Sequence, residues 1–138
     1  MFDYHVHSEF SVDCAAPMMA SCAAAVDAGV TEIAFTDHVD HQHTDPGFGY
    51  YRIEEYFAQI DRAREAFDGR LTVLAGVEMD YHPDTADQVR VFVERHGGRY
   101  DLVIGSVHYG DDARLIFPDY FDGKGIADVV LPYLDHVE

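Results

Sequence analysis

Four short apolar runs, rich in β-branched and aromatic residues, recur along the chain, each followed by a stretch with helical spacing. That alternation limits the fold more than any other feature. Strand and helix repeated in this way call for a parallel sheet with its helices packed outside, an α/β architecture. Near-continuous apolar strands fit the same picture, because parallel strands are buried on both faces. The pattern alone does not choose between a closed barrel and an open sheet.

The first strand is expected over Phe2 to Val6, with His5 and His7 on one face and Val6 on the other. Pro17 opens an Ala-rich helix that runs to Ala28, with Gly29 placed for its C-terminal cap. Thr31 to Thr36 reads as the second strand, and a polar, aromatic loop follows from His38 to about Tyr51, with a turn at Pro46-Gly47. Ile53, Phe57, Ile60, Arg64 and Phe67 step by three and four, the mark of an amphipathic helix over Ile53 to Phe67. Leu71 to Val77 is the third strand, and Thr85 to Arg95 the next helix, capped by Asp84 or Thr85. Leu102 to Val107 is the fourth strand, followed by a loop and a last helix over Ile126 to Val137, interrupted or restarted at Pro132. No linker or internal repeat divides the sequence, so residues 1–138 read as one domain.

Charge narrows the function classes. The 138 residues hold 26 Asp and Glu against 9 Lys and Arg, a formal net charge of -17. Such a chain repels the phosphate backbone, which disfavours nucleic acid as a partner. Bound cations would offset part of the acidity, since a carboxylate on a divalent metal is not a free charge. No apolar run approaches the ~18 residues that a membrane span needs. The N-terminus MFDYHVH lacks the basic and apolar regions of a secretion signal. Cys14 and Cys22 form no CxxC pattern or disulfide framework, and the expected compartment is the reducing cytoplasm.

Nine histidines are many for this length, and several fall at strand ends. His5 and His7 close the first strand, Asp37 and His38 the second, Glu78 and Asp80 the third, and His108 the fourth. Sites in parallel α/β folds assemble at the C-terminal ends of strands. The spacing His5-Val6-His7 lets two imidazoles on one face reach a common ion. Asp3 shares their parity and is placed to orient an imidazole; Asp37 would orient a histidine or stand outside the ligand shell. Glu78 directly follows an apolar strand, a costly place for an unpaired carboxylate. Bridging two cations would remove that cost, and a buried salt bridge is the rival in a chain poor in Lys and Arg. His41 and His43 would line a substrate mouth or simply be solvated; His82, His96 and His136 are less committed. A Gly-rich phosphate loop, a GxSxG elbow and an HExxH helix are all missing, and no histidine pairing is readable around Cys14.

Taken together, DYHVHSEFSVD, AFTDH, GVEMDY and DLVIGSVH resemble the PHP (polymerase and histidinol phosphatase) family in order and spacing along the whole chain. The SVH and GxExDY forms resemble its histidinol-phosphate phosphatase branch more than polymerase-associated domains. The resemblance implies a distorted seven-stranded, TIM-like β/α barrel, with this chain supplying the first four strand-helix units. It further implies a site at the barrel rim for up to three divalent ions, zinc, iron or manganese. Carried over by position, His5 and His7 would hold one ion with Glu78, Glu78 would bridge to a second ion also bound by His108, and Asp13 and His38 would hold the third. Ser8, with Asp3, Asp37 and Asp80, would support ligands or touch substrate. The family pattern continues with a later histidine and an Asp-x-His motif beyond this sequence. The single PHP domain is thus expected to be cut short on its C-terminal side, each ion lacking one protein ligand. Weak or absent activity of the chain alone follows, as does self-association through an open sheet edge.

The chemistry the resemblance implies is hydrolysis of L-histidinol phosphate to L-histidinol and phosphate, a step of histidine biosynthesis. The nucleophile would be a metal-bound water with its pKa lowered to about 7, so no side-chain nucleophile is needed. Two other readings are a PHP nuclease, against which the net charge of -17 argues, and a non-catalytic metal-binding, oligomerising fragment.

Overall fold

The computed structural model describes residues 1–110, 113–114 and 118–137. Strands β1 (Phe2–Val6), β2 (Glu32–Phe35), β3 (His38–Val39), β4 (Thr72–Asp80) and β5 (Leu102–Ser106) form one sheet, all of its neighbours parallel. Helices α1 (Met18–Asp27), α2 (Ile53–Ala66) and α3 (Ala86–His96) occupy the crossovers, as strand-helix alternation requires. A two-residue hairpin, β6 (Tyr109–Gly110) with β7 (Ala113–Arg114), and helix α4 (Ile126–Val137) follow. The sheet is open and curled, a partial β/α barrel. No helix among the described residues is long and apolar enough to cross a membrane.

Strand β4 organises the sheet. Its first half pairs with β2, from Glu32 opposite Thr72 to Phe35 opposite Ala75. Its second half pairs with β3 on one side and β5 on the other, His38 and Ile104 both standing opposite Glu78. The handover falls at Gly76, where a Cβ would lie 2.7 Å from the Phe35 carbonyl oxygen and 2.7 Å from Thr36 Cγ2. Into the gap comes the hydroxyl of the fully buried Tyr56, 2.8 Å from the carbonyl oxygens of both Phe35 and Gly76, while accepting the Gly76 N–H at 3.0 Å. One side chain of α2 thus satisfies backbone groups that the parting strands leave behind.

The main core lies between the sheet and α1 and α2. Tyr56, Ile60 and Ala63 follow one another at helical spacing and meet Met18, Cys22, Phe35 and Ala75. Gly29, at φ 76°, ends α1 in the left-handed conformation its C-terminus requires.

Several expectations are corrected. The loop after the second strand contains β3, whose two residues are too few to show periodicity. Glu78 and Asp80 lie within β4, which runs three residues past Val77 because β3 and β5 clasp its end. The outer strands are not buried on both faces: Phe2 is 68% and Val103 42% exposed, since each is paired on one side among the described residues. Helix α3 begins after a 3-10 turn at Pro83–Thr85, and neither Asp84 nor Thr85 caps it through its side chain. The His82 ring does the nearby capping, accepting the Asp84 N–H at 3.2 Å. Pro132 lies inside α4 without ending it.

Candidate metal centre

The C-terminal ends of β1, β4 and β5 and the first residue of β3 bring four imidazoles around one carboxylate. Glu78 points from β4 and is 3% exposed. His5 Nε2 and His7 Nε2 each lie 3.0 Å from its Oε2, and His38 Nδ1 lies 3.5 Å from the same atom. His108 Nε2 lies 3.3 Å from Oε1, which also accepts the Ser106 hydroxyl. Register explains the convergence: His38 stands opposite Glu78, and the two-residue period of β1 turns His5 and His7 to the same side. Asp13, in the turn after β1, places its carboxylate 3.2 Å from His7 Nδ1 and 3.6 Å from His38 Nε2.

Ligand-type atoms approach within 4.8 Å of one another in the sets His5, His7, Glu78; His7, Asp13, His38; His38, Glu78, His108; and Asp40, Asp80, His108. All six residues proposed from the motifs therefore meet in one place. Sequence reasoning missed Asp40, which is buried and has its Oδ1 3.9 Å from His38 Nδ1. The signal was there, since Asp40 stands two residues beyond His38 in His38-Val39-Asp40. A cleft of about 520 Å³, walled in part by Val12 and Pro46, opens over these groups.

The supporting residues have different surroundings. Asp37 stands outside the ligand sets, the second of its two expected places. Fully buried, it accepts the Ser8 N–H at 2.6 Å and the Ser8 hydroxyl at 2.8 Å. Ser11, equally buried, accepts the His38 N–H at 2.8 Å, so the ends of β1 and β2 are joined by a polar network. Ser8 is fully buried within it. Asp3 is exposed and accepts the backbone N–H of His5 at 3.3 Å; no imidazole contact to it is seen among the described residues. Asp80 reaches His108 Nδ1 at 3.0 Å. His41 packs against Phe92 and His43 against Phe48, and neither lines the cleft. His96 packs against Phe92 with its ring tilted; the side chain of His136 lies outside the described residues.

These contacts set the protonation of the metal-free centre. Burial opposes ionisation of Glu78, but hydrogen bonds from His108, His7 and Ser106 outweigh it and hold the carboxyl well below the usual range. Hydrogen bonds to Asp80 and then Glu78 push His108 up to about 10. The Glu78 hydrogen bond likewise raises His7, whereas burial lowers His38. Burial also raises Asp37. The donor set of imidazole nitrogens and carboxylate oxygens suits zinc, iron or manganese. Buried His38 Nδ1 makes no hydrogen bond among the described residues, as an atom held near a cation need not. The residues fit a divalent metal.

Comparison with known proteins agrees. Residues 3–135 match the PHP domain family. A probable histidinol-phosphatase of Deinococcus radiodurans is 36% identical over 112 residues, which are 78% of this chain and 42% of that protein. The histidinol-phosphatase of Lactococcus lactis is 32% identical over 107 residues, 77% of this chain and 38% of that one. A crystal structure of the Lactococcus lactis histidinol phosphate phosphatase, complexed with zinc, L-histidinol and phosphate, superimposes with a TM-score of 0.85 at 27% identity. That match covers 98% of this chain and 51% of the other. The chain thus spans about two-fifths of the curated relatives' length and half of the solved relative's.

Proposed function

The chain belongs to the PHP domain family, and from that premise we propose that it carries the metal centre of a phosphomonoester hydrolase of the histidinol-phosphatase type. The substrate is L-histidinol phosphate and the products are L-histidinol and phosphate. The observation that carries the reading is the convergence of His5, His7, His38 and His108 on the buried Glu78, with Asp13 at its rim. His5, His7 and Glu78 would hold one divalent ion, Glu78 and His108 a second, and Asp13 with His38 a third. Zinc is the first choice on the solved relative, with manganese and iron suited to the same donors.

Such ions supply Lewis acidity toward phosphoryl oxygens and acidify water for attack on phosphorus. The chain's own residues do the rest. Ser106 and the imidazoles hold Glu78 ionised and aimed into the cleft. Ser8 and Ser11 are buried in hydrogen bonds, and the Cys14 thiol donates to the His7 carbonyl at 3.4 Å, so these side chains are not presented as nucleophiles. Water is left for that role. Asp13, Asp40 and Glu78 would repel a phosphate dianion from an ion-free cleft, which makes substrate binding metal-dependent. The exposed β1 edge and the exposed Ile126, Leu131 and Leu134 of α4 support self-association. Two free cysteines suit the cytoplasm.

Phosphate release from L-histidinol phosphate tests the proposal. Release is expected with zinc or manganese and is abolished by chelator and by Glu78→Gln. Turnover that ignores the chelator, or that survives Glu78→Gln, refutes it.

A further inference from the structure

Glu78 and Asp80 stand two residues apart on β4 and take opposite nitrogens of one imidazole. His108 Nε2 lies 3.3 Å from Glu78 Oε1, while His108 Nδ1 lies 3.0 Å from Asp80 Oδ1. Asp80 is itself fixed by register opposite Ser106, two residues before His108. The side chain of Asp80 is 1% exposed, whereas that of Asp13, beside His7, is 52% exposed and borders the cleft. Asp80 does not border it.

We propose that Asp80 is a positioning residue for the metal centre: it takes the Nδ1–H of His108, fixing the tautomer and ring orientation that leave Nε2 free toward the ion at Glu78. The inference rests on the metal reading above and assigns Asp80 a place outside the ligand shell. A carboxylate serving the fold alone is tied to backbone, as Asp37 is to the Ser8 N–H. Asp80 has no such tie: among the described residues no backbone N–H is seen on its oxygens, and its ion-pair partner is His108. A ligand role at Asp40, Asp80 and His108 would draw Nδ1 to a second ion, and one neutral imidazole cannot give both nitrogens to cations. Carboxylates that hold the far nitrogen of a metal-bound histidine raise its basicity and set its orientation, and their loss lowers metal affinity about 10- to 100-fold.

The test compares the 138-residue chain with Asp80→Asn and Asp80→Ala. Zinc affinity and count are read by competition with a chromophoric chelator, and the His108 ring by long-range proton-nitrogen NMR. In Asp80→Ala, affinity is expected to fall about 10- to 100-fold with the zinc count at saturation unchanged, and the protected Nδ1–H signal of His108 to vanish. Asp80→Asn keeps an acceptor oxygen, so it retains the signal and recovers most of the affinity. A count lower by one in both variants makes Asp80 a ligand and overturns the proposal, as does affinity unchanged in both. If the unsubstituted chain takes up no zinc, the metal reading itself falls; uptake indifferent to Asp80 removes only this role.

Discussion

Replacing Asp37 by alanine strips the acceptor from two buried donors at the point where β1 and β2 end. The Ser8 N–H at 2.6 Å and the Ser8 hydroxyl at 2.8 Å both lose their partner in a spot with no solvent exposure. Each orphaned group costs about 1–3 kcal/mol. The upper end is trimmed, because burial already penalises the Asp37 charge and its removal relieves that penalty. A net loss of about 2–4 kcal/mol follows, a melting point lower by about 10 °C in a domain of this size. Asp37→Asn keeps an oxygen for the Ser8 N–H and should lose about 1 kcal/mol. Urea titration of the three chains, with zinc uptake measured on each while folded, is the assay. Uptake should suffer most at the His7, Asp13 and His38 set, because Ser8 follows His7 and Ser11 holds the His38 N–H. An alanine variant within 0.5 kcal/mol of the parent, on the scale of ordinary surface substitutions, would refute the reasoning.

Tyr56→Phe removes the hydroxyl that serves Phe35 and Gly76 at the strand handover, and a stability loss of about 1–3 kcal/mol is expected in urea titration. In the metal-free chain His108 is raised from 6.5 to about 10, so its contribution is fully present below the lower value and is lost as pH rises through the higher. Glu78 has the opposite sign: its contribution is present above its ordinary 4.5 and is lost as pH falls through its depressed value. Chelated protein should therefore melt lower at pH 10 than at pH 6; a melting temperature that rises over that range counts against the assignment. Zinc must displace the His108 proton, so uptake at neutral pH should release protons and strengthen with pH, as an indicator dye in weak buffer will show.

What the sequence made legible was local or periodic. The parity of His5 and His7, the Ile53, Phe57, Ile60, Arg64 and Phe67 spacing of α2, and the carboxylate of Glu78 beyond an apolar run can all be read within a few residues. What it concealed depends on partners far along the chain. Asp37 meets Ser8 across 29 positions, so its carboxylate looked available to a histidine when it was already committed to backbone. Strand β3 exists because β4 offers it an edge, which no two-residue pattern reveals. Asp40 was passed over because its burial beside Gly47 depends on how the long loop folds back. Gly76 is likewise a glycine for reasons visible only once Phe35 and Thr36 lie against it.

The central claim is that one buried glutamate gathers enough imidazole and carboxylate ligands to bind divalent cations as a cluster. Equilibrium dialysis of the folded chain against buffered zinc, with Glu78→Ala alongside, measures this directly. The account predicts at least two zinc ions per parent chain and at most one in the variant, because the sets His5, His7, Glu78 and His38, Glu78, His108 both depend on that residue. Fewer than two ions in the parent, or an equal count in Glu78→Ala, would contradict it.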